Sequence, residues 1–252
     1  MLHHLFSLTL VAVLALLSSV LAEDHPTSVN LRIEGSTNTI FEDSVETRGH
    51  NVTTVSGGNH HCDGTNNNEN PSPGPTCTSA LDDAAHRHHF AFDGYVSYFL
   101  ISHCGGWLIH GAKRYSTFST AIDDFFITSI AGDTQTSTES WGILINFEFT
   151  AVGGCQQEVK HDDDVLFAFD AFNKAHFLKL TGPESAHIGI PVVLTVTDGQ
   201  TGRPVAGADV NGDTSDANGH VSVTFTHAGQ HTVKAQKSDS IRSNQLTILV
   251  TP

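Results

Sequence analysis

The chain is poor in cations and in several large side chains. Its 252 residues include 12 Lys and Arg against 27 Asp and Glu, a formal net charge of −15, and only one Met, two Trp and three Tyr. Nucleic acids and anionic membranes are bound through clustered cations, so this balance argues against both as partners. Beyond the N-terminus the sequence also lacks a long apolar run, so we expect no membrane span.

The one long apolar run begins the chain. Leu5 to Val20 is apolar, and Val20-Leu-Ala22 provides small residues for cleavage before Glu23. This pattern predicts a secretory signal peptide over residues 1–22. A membrane anchor is the alternative, and the shortness of the run disfavours it. We therefore expect a secreted, extracellular protein.

Cysteine is scarce, at four residues. In an exported chain four cysteines predict two disulfides, and three connectivities are open. Asn51-Val-Thr53 is the only N-glycosylation sequon, which predicts a glycan at Asn51 on a surface loop.

Strand-like segments cluster in the middle and near the start of the chain. Their lengths and apolar patterns are typical of buried or half-buried strands. They are Ser28 to Glu34, Thr39 to Val45, Trp141 to Phe149, Asp164 to Phe169 and His176 to Leu180. Thr78 to Ala85 predicts a short helix with Thr78 or Ser79 as N-cap. From His50 to Pro75 the composition is polar, and Asn66 to Pro75 is predicted to be a loop.

The composition changes at Gly182-Pro183, which divides the chain into domains at 23–182 and 183–252. Beyond this point, short apolar segments alternate with Gly, Asp and Asn turns. That pattern predicts an immunoglobulin-like β-sandwich. The fold class is therefore mainly β, with an α+β first domain.

Four motifs support a family resemblance: Cys62-Asp-Gly-Thr-Asn66, Pro73-Gly-Pro-Thr76, Ser79-Ala-Leu-Asp-Asp-Ala-Ala85 and Gly153-Gly-Cys155. Residues 28–181 resemble the transcobalamin C-terminal-like domain in its fungal secreted form. The resemblance implies a β-grasp-like fold, a small sheet folded around one helix, and a Cys62–Cys155 disulfide. Residues 184–252 resemble bacterial-type immunoglobulin-like repeats, through Gly202 to Ala208, Ser215 to Gly219 and Gly229 to Ala235.

In transcobalamins this domain closes on cobalamin against a helical barrel, which the present chain lacks. We therefore expect no cobalamin binding. The resemblance implies the fold and a general aptitude for ligand or partner binding. Our leading hypothesis is a secreted, non-catalytic binding or surface-interaction protein of a fungus, with an extracellular ligand or cell-wall partner that the sequence does not identify. The alternatives are an extracellular carrier of a small cofactor or metal ion, and an extracellular hydrolase.

Residues 95–115 have no counterpart expected in the resembled family. Codons for Gly94-Tyr95-Val96 can spell a fungal splice donor, and those for Tyr115-Ser116 an acceptor, 21 codons plus three bases apart and in frame. We hypothesise that this segment is translated intron; a genuine insertion is the alternative. In the first case Cys104 is spurious and Cys77 unpaired. In the second, Cys77 and Cys104 form the second disulfide.

Histidine is abundant, at 17 residues. His60, His61, His86, His88 and His89 lie close enough in sequence to bind Cu or Zn through neutral imidazoles. The favoured interpretation is a polar surface that uses histidine where other proteins use lysine, with no cofactor.

The remaining candidate motifs are interpreted as structural features rather than as catalytic or ligand-binding sites. Two carboxylates can hydrolyse a glycosidic bond only when a cleft holds them at a fixed distance from each other. The sequence shows no such cleft for its three carboxylate clusters, which are Asp82-Asp83, Asp123-Asp124 and Asp162 to Asp164. Asp209 to Gly219 begins like a calcium loop but has Thr214 and His220 at the sixth and twelfth positions, so a hairpin turn is expected. No nucleophile motif is present. A set of aromatic residues is predicted to form core rather than a ligand-stacking platform: Trp141, Phe147, Phe149, Phe167, Phe169 and Phe172.

Overall fold

The computed structural model describes residues 26–94 and 118–252. This part of the chain is mainly β-structure with a single α-helix, in agreement with the predicted class. The predicted signal peptide, the segment 95–115 and Cys104 lie outside the described residues. Within residues 26–94 and 118–252, no helix has the length and apolar character needed to cross a membrane.

The first half of the chain contains twelve described strands and helix α1. They are β1 Thr27–Glu34, β2 Thr39–Thr47, β3 His50–Thr54, β4 Gly58–Cys62, α1 Cys77–His88, β5 Phe92–Gly94, β6 Phe118–Ser119, β7 Asp124–Phe125, β8 Ile127–Ile130, β9 Asp133–Thr134, β10 Trp141–Ile145, β11 Glu148–Phe149 and β12 Asp164–Phe169. Short 3-10 turns lie at Asn66–Asn68 and Ala171–Asn173.

The second half contains ten described strands. They are β13 His176–Thr181, β14 Ser185–His187, β15 Val192–Asp198, β16 Asp209–Val210, β17 Asp213–Thr214, β18 His220–Val223, β19 Gly229–Val233, β20 Ala235–Gln236, β21 Ser240–Ile241 and β22 Leu246–Thr251.

A five-stranded sheet with the order β11-β10-β12-β1-β2 organises the first half. Its central pair, β1 and β12, is parallel, and the other neighbours are antiparallel. Because side chains alternate between the two faces of a strand, Val29, Leu31 and Ile33 of β1 all face the same core. There they pack with Leu81 of α1 and Phe167 of β12. The helix therefore covers one face of this sheet.

Helix α1 begins earlier than the sequence predicts. Thr76 is the N-cap, with its side chain accepting from Ser79 N at 3.1 Å, while Ser79 Oγ accepts from Thr76 N at 2.9 Å. This reciprocal capping box satisfies two amide donors that a helix start leaves unpaired. Thr78 and Ser79, the predicted caps, lie inside the first turn and are fully buried.

Two sheets pack against each other in the second half: β18-β15-β13-β21 and β14-β22-β19. Their shared core includes Leu180, Leu194, Val223 and Ile248. Strand β13, predicted to end the first domain, pairs with β15 and β21 instead, because Leu178 and Leu180 face this second core. By strand pairing, β13 is therefore grouped with the second half, while the domain division at 182–183 stays a prediction.

Two hairpins differ from the predicted elements. Trp141 to Phe149 is not one strand, because Asn146 and Phe147 adopt left-handed φ angles of 50° and 68° and turn β10 back into β11. The polar stretch after His50 contains the β3–β4 hairpin. Asn51 is therefore exposed on a strand rather than in a loop.

Candidate functional site

The two halves meet through a third apolar cluster. Phe147, Leu166, Phe177 and Ile241 are buried there, contributed by both sides of the division. Phe147, at the tip of the β10–β11 hairpin, packs on Gly199, where a Cβ would lie only 2.1 Å from the Phe147 ring. Glycine at this position therefore allows the hairpin to reach the second half.

A partly buried ion network lies beside this cluster. The fully buried carboxylate of Glu34 accepts from Lys234 Nζ at 2.5 Å and from Arg242 Nε at 2.7 Å. Lys234 also pairs with Glu42 at 2.6 Å, and Arg242 Nη2 donates to Gly35 O at 2.6 Å. Both acids belong to the first half and both bases to the second. A buried charge left without its partner is expensive, so this network favours one relative placement of the halves.

Arg32 adds a further connection between the halves. It is buried, it donates from Nη1 to Arg242 O at 2.7 Å, and its guanidinium lies 5.7 Å from the Phe147 ring centroid. Burial lowers the pKa of Arg32, while the nearby carboxylates of Glu34 and Glu42 oppose that shift.

A cleft of about 610 Å³ opens along this junction. Glu139, Asp170 and Lys174 line it from the first half, and Asp209 and Gln236 from the second. Its volume lies within the range of about 300–1,000 Å³ that is typical of ligand pockets, which occur preferentially between domains. A second groove of about 380 Å³ lies over Arg32, Phe147 and Lys179.

The cations of the 610 Å³ cleft are ion-paired. Lys174 Nζ lies 3.0 Å from Asp170, and Lys237 Nζ lies 2.5 Å from Asp239. Arg242, the third cation of its lining, is held by Glu34. Gln236 Nε2 donates to Asp209 Oδ1 at 3.2 Å. The lining therefore offers hydrogen-bonding groups with largely compensated charge.

The five predicted metal histidines are not brought together. His60 stacks on Phe118 with ring centroids 3.6 Å apart, and the adjacent His61 pairs with Asp123 at 3.2 Å. His86 and His88 are exposed at the end of α1, and His89 follows in a left-handed cap. Across residues 26–94 and 118–252, no three His, Cys, Asp or Glu side chains form a group that could hold a metal ion.

A different histidine meets two carboxylates. His50 Nε2 lies 3.5 Å from Asp83, its Nδ1 lies 3.9 Å from Asp82, and His86 approaches Asp82 at 3.4 Å. The Asp83 carboxylate near Nε2 raises the pKa of His50 to about 9, although burial opposes the shift. Sequence reasoning missed this site. The alternation of β3 was the available signal, since His50 shares the α1-facing side of the strand with the buried Val52.

The Cys62–Cys155 disulfide implied by the resemblance is present. Cys77 is a buried free thiol in the same core, and burial raises its pKa. Its predicted alternative partner, Cys104, lies outside the described residues. Asp124 is buried beside the disulfide, where it accepts from Cys155 N at 3.0 Å and Phe125 N at 2.7 Å. Burial raises the pKa of Asp124 to about 7 despite these amide donors.

The aromatic set divides into core and surface. Trp141, Phe147, Phe167 and Phe169 are buried as predicted. Phe149 and Phe172 are 38% and 65% exposed, so the prediction of core is wrong for these two. Their rings stack with centroids 5.0 Å apart and planes 14° apart.

The calcium-like segment forms the predicted hairpin. Strands β16 and β17 pair across Asn211-Gly212, and both turn residues have positive φ, at 56° and 92°. Asp216 accepts the amide hydrogens of Asn218 and His220, each at 2.8 Å. Its carboxylate thus shapes the next turn.

Comparison with known proteins adds no assignment: no protein-family model and no curated protein sequence matches this chain.

Proposed function

We propose that this chain is a secreted, non-catalytic binding protein that presents an interaction site outside a fungal cell. The ion network of the buried Glu34 with the partly buried Glu42, Lys234 and Arg242 carries the proposal, because it connects the two halves beside the 610 Å³ cleft. A cleft whose walls are already ordered loses less conformational entropy when a ligand binds.

For the fold, we propose a β-grasp-like first domain and an immunoglobulin-like second domain that acts as spacer or docking unit. Packing of α1 on the β1 side of the five-stranded sheet supports the first assignment. The two packed sheets of the second half support the other. Both agree with the resemblance to transcobalamin C-terminal-like domains and bacterial-type immunoglobulin-like repeats.

Export is supported by the disulfide and by the signal-peptide pattern at residues 1–22. Disulfides persist in oxidising compartments and are rare in the reducing cytosol. Asn51 is exposed on β3, where an attached glycan would point into solvent.

Native mass spectrometry with metal analysis tests the proposal, using protein secreted from a fungal host. We expect a mass explained by the chain, one disulfide and glycan, unchanged by added Cu or Zn. A stoichiometric excess would replace the proposal with the carrier alternative and identify what is carried. Shortening of a polysaccharide incubated with the protein would replace it with the hydrolase alternative.

A further inference from the structure

One member of the exposed aromatic pair, Phe172, lies in a turn whose two flanking residues line the cleft, and its partner Phe149 lies at the end of β11. Phe172 is in the 3-10 turn Ala171–Asn173, between Asp170 and Lys174, which both line the cleft. Asn173 Nδ2 donates to Thr138 O at 2.9 Å, which fixes this turn beside the neighbouring wall residue Glu139. The turn thus adjoins the cleft through Asp170 and Lys174 and carries one ring of the pair, although neither ring is itself part of the cleft lining.

Local packing holds the pair in place. A Cβ at Gly142 would lie 2.6 Å from Ala171 Cβ and 3.0 Å from the Phe149 ring. Glycine at this position lets both the turn and the ring pack onto β10. Phe149 is also supported from below by Phe177, edge to face at 5.4 Å. Single exposed apolar residues are ordinary, but two stacked and supported rings form an apolar patch of the kind that marks binding surfaces.

The cleft restricts the charge of its ligand. Lys174, Lys237 and Arg242 are each neutralised by an adjacent carboxylate, and the whole chain carries a net charge of −15. Polyanions are therefore repelled at long range and find no unpaired cation among the described lining residues. The lining instead provides carboxylate, amide and serine hydroxyl groups, including Glu139, Gln236 and Ser238. These groups hydrogen-bond to neutral hydroxyls.

We propose that the cleft binds an uncharged glycan chain, which extends from the hydroxyl-binding lining onto the Phe149/Phe172 pair. A sugar ring has C–H groups on its faces, which can pack on an aromatic ring, and hydroxyls around its edge, which can bind the lining. This inference rests on the proposed binding function and specifies the ligand class.

Sedimentation binding to insoluble chitin and insoluble β-1,3-glucan tests the inference, with alginate gel as the anionic control polymer. We expect the full chain to bind at least one neutral polymer and not alginate. Phe172→Ala should weaken that binding about tenfold, because one stacking contact is lost. Ser238→Trp should reduce it at least as much by filling the cleft. Phe126→Ala is the matched control, since Phe126 is 46% exposed away from the cleft lining.

Two results would overturn the inference: no binding of the full chain to either neutral polymer, or equal binding by all three variants. Thermal melts of each variant separate lost binding from lost folding, and Ser238→Trp tests the cleft independently of the aromatic pair. Native mass spectrometry separates failure of the inference from failure of the proposed function. A bare mass together with no polymer binding would refute only the inference, whereas a stoichiometric ligand other than a glycan would refute the inference and replace the proposed function with the carrier alternative. Shortening of the bound polymer would support the glycan site and overturn the non-catalytic role.

Discussion

At the scale of single residues, the Glu34 carboxylate connects the two halves through two cations. Glu34→Gln keeps the size of the side chain but removes the charge that Lys234 and Arg242 share. We expect the free energy of unfolding to fall by about 2 kcal/mol, since Arg242 loses its carboxylate partner while Lys234 keeps Glu42 and both cations retain some contact with water. Urea denaturation measures this change.

The control for Glu34 is an exposed ion pair in the same region. Asp239 pairs with Lys237, but its side chain is 48% exposed. Asp239→Asn should therefore cost less than about 1 kcal/mol. Similar losses for the two variants would contradict the role assigned to the ion network.

His50 predicts a specific pH dependence of stability. Its pKa is raised from 6.5 to about 9 in the folded state, chiefly by the nearby Asp83 carboxylate. The folded chain therefore binds the proton more tightly than the unfolded chain. The stabilisation is complete below pH 6.5 and is lost as the pH rises through about 9.

We expect His50→Gln to lower the free energy of unfolding by about 1–2 kcal/mol below pH 6.5 and by almost nothing above pH 9. This range allows for solvent screening at a half-buried site. Denaturation of both proteins below pH 6.5 and above pH 9 measures the difference. An NMR titration of His50 gives its pKa directly. A difference that does not change with pH would show that the imidazole acts by packing alone.

At the scale of elements, the disulfide connects the end of β4 to the segment before β12. Cys62 and Cys155 are 93 residues apart in sequence, so the bond restricts a long stretch of the unfolded chain. The double variant Cys62→Ser, Cys155→Ser should lose about 4–5 kcal/mol of unfolding free energy by the chain-entropy argument. Cys77→Ala, in the same core, should lose only about 1 kcal/mol. Equal losses would mean that packing of sulfur, rather than the covalent bond, provides the stability.

Periodicity predicted the strands that have one clear apolar face or are buried throughout, such as β1 and β12. It did not predict β3 and β4, whose outward positions are occupied by polar residues on both strands. It also could not divide Trp141 to Phe149, because the turn depends on left-handed backbone angles at Asn146 and Phe147, and phenylalanine rarely adopts them.

Sequence reasoning could not predict the candidate site because its residues lie far apart along the chain. Glu34 and Arg242 are separated by 208 residues, and the cleft exists only once the halves are packed together. The histidine count identified an unusual composition, but neighbours in sequence such as His60 and His61 point to opposite sides of a strand. Composition alone also could not distinguish Phe172 at the surface from Phe169 in the core.

At the scale of the whole molecule, strand register bears on whether residues 95–115 belong to the protein. Gly94 of β5 lies opposite Ile127, and Phe118 of β6 lies opposite Phe125. Ile127 and Phe125, the residues opposite Gly94 and Phe118, are two residues apart in sequence. Excision of the hypothesised intron, 21 codons plus three bases, would join Gly94 directly to Thr117 and place Phe118 two residues after Gly94. The shortened strand would then continue along Asp124 to Ile130 in the register that the flanking pairs already have.

We therefore expect a transcript amplified across Gly94 and Thr117 to include a product shorter by 21 codons plus three bases. The protein made from it should melt at the same or a higher temperature than the full chain, since the flanking pairs are kept and fewer residues separate them along the chain. It should also contain one thiol that reacts only after unfolding, Cys77, because Cys62 and Cys155 are bonded and Cys104 is gone. A full-length transcript as the only product, together with a lower melting temperature for the shortened chain, would establish the segment as a genuine insertion.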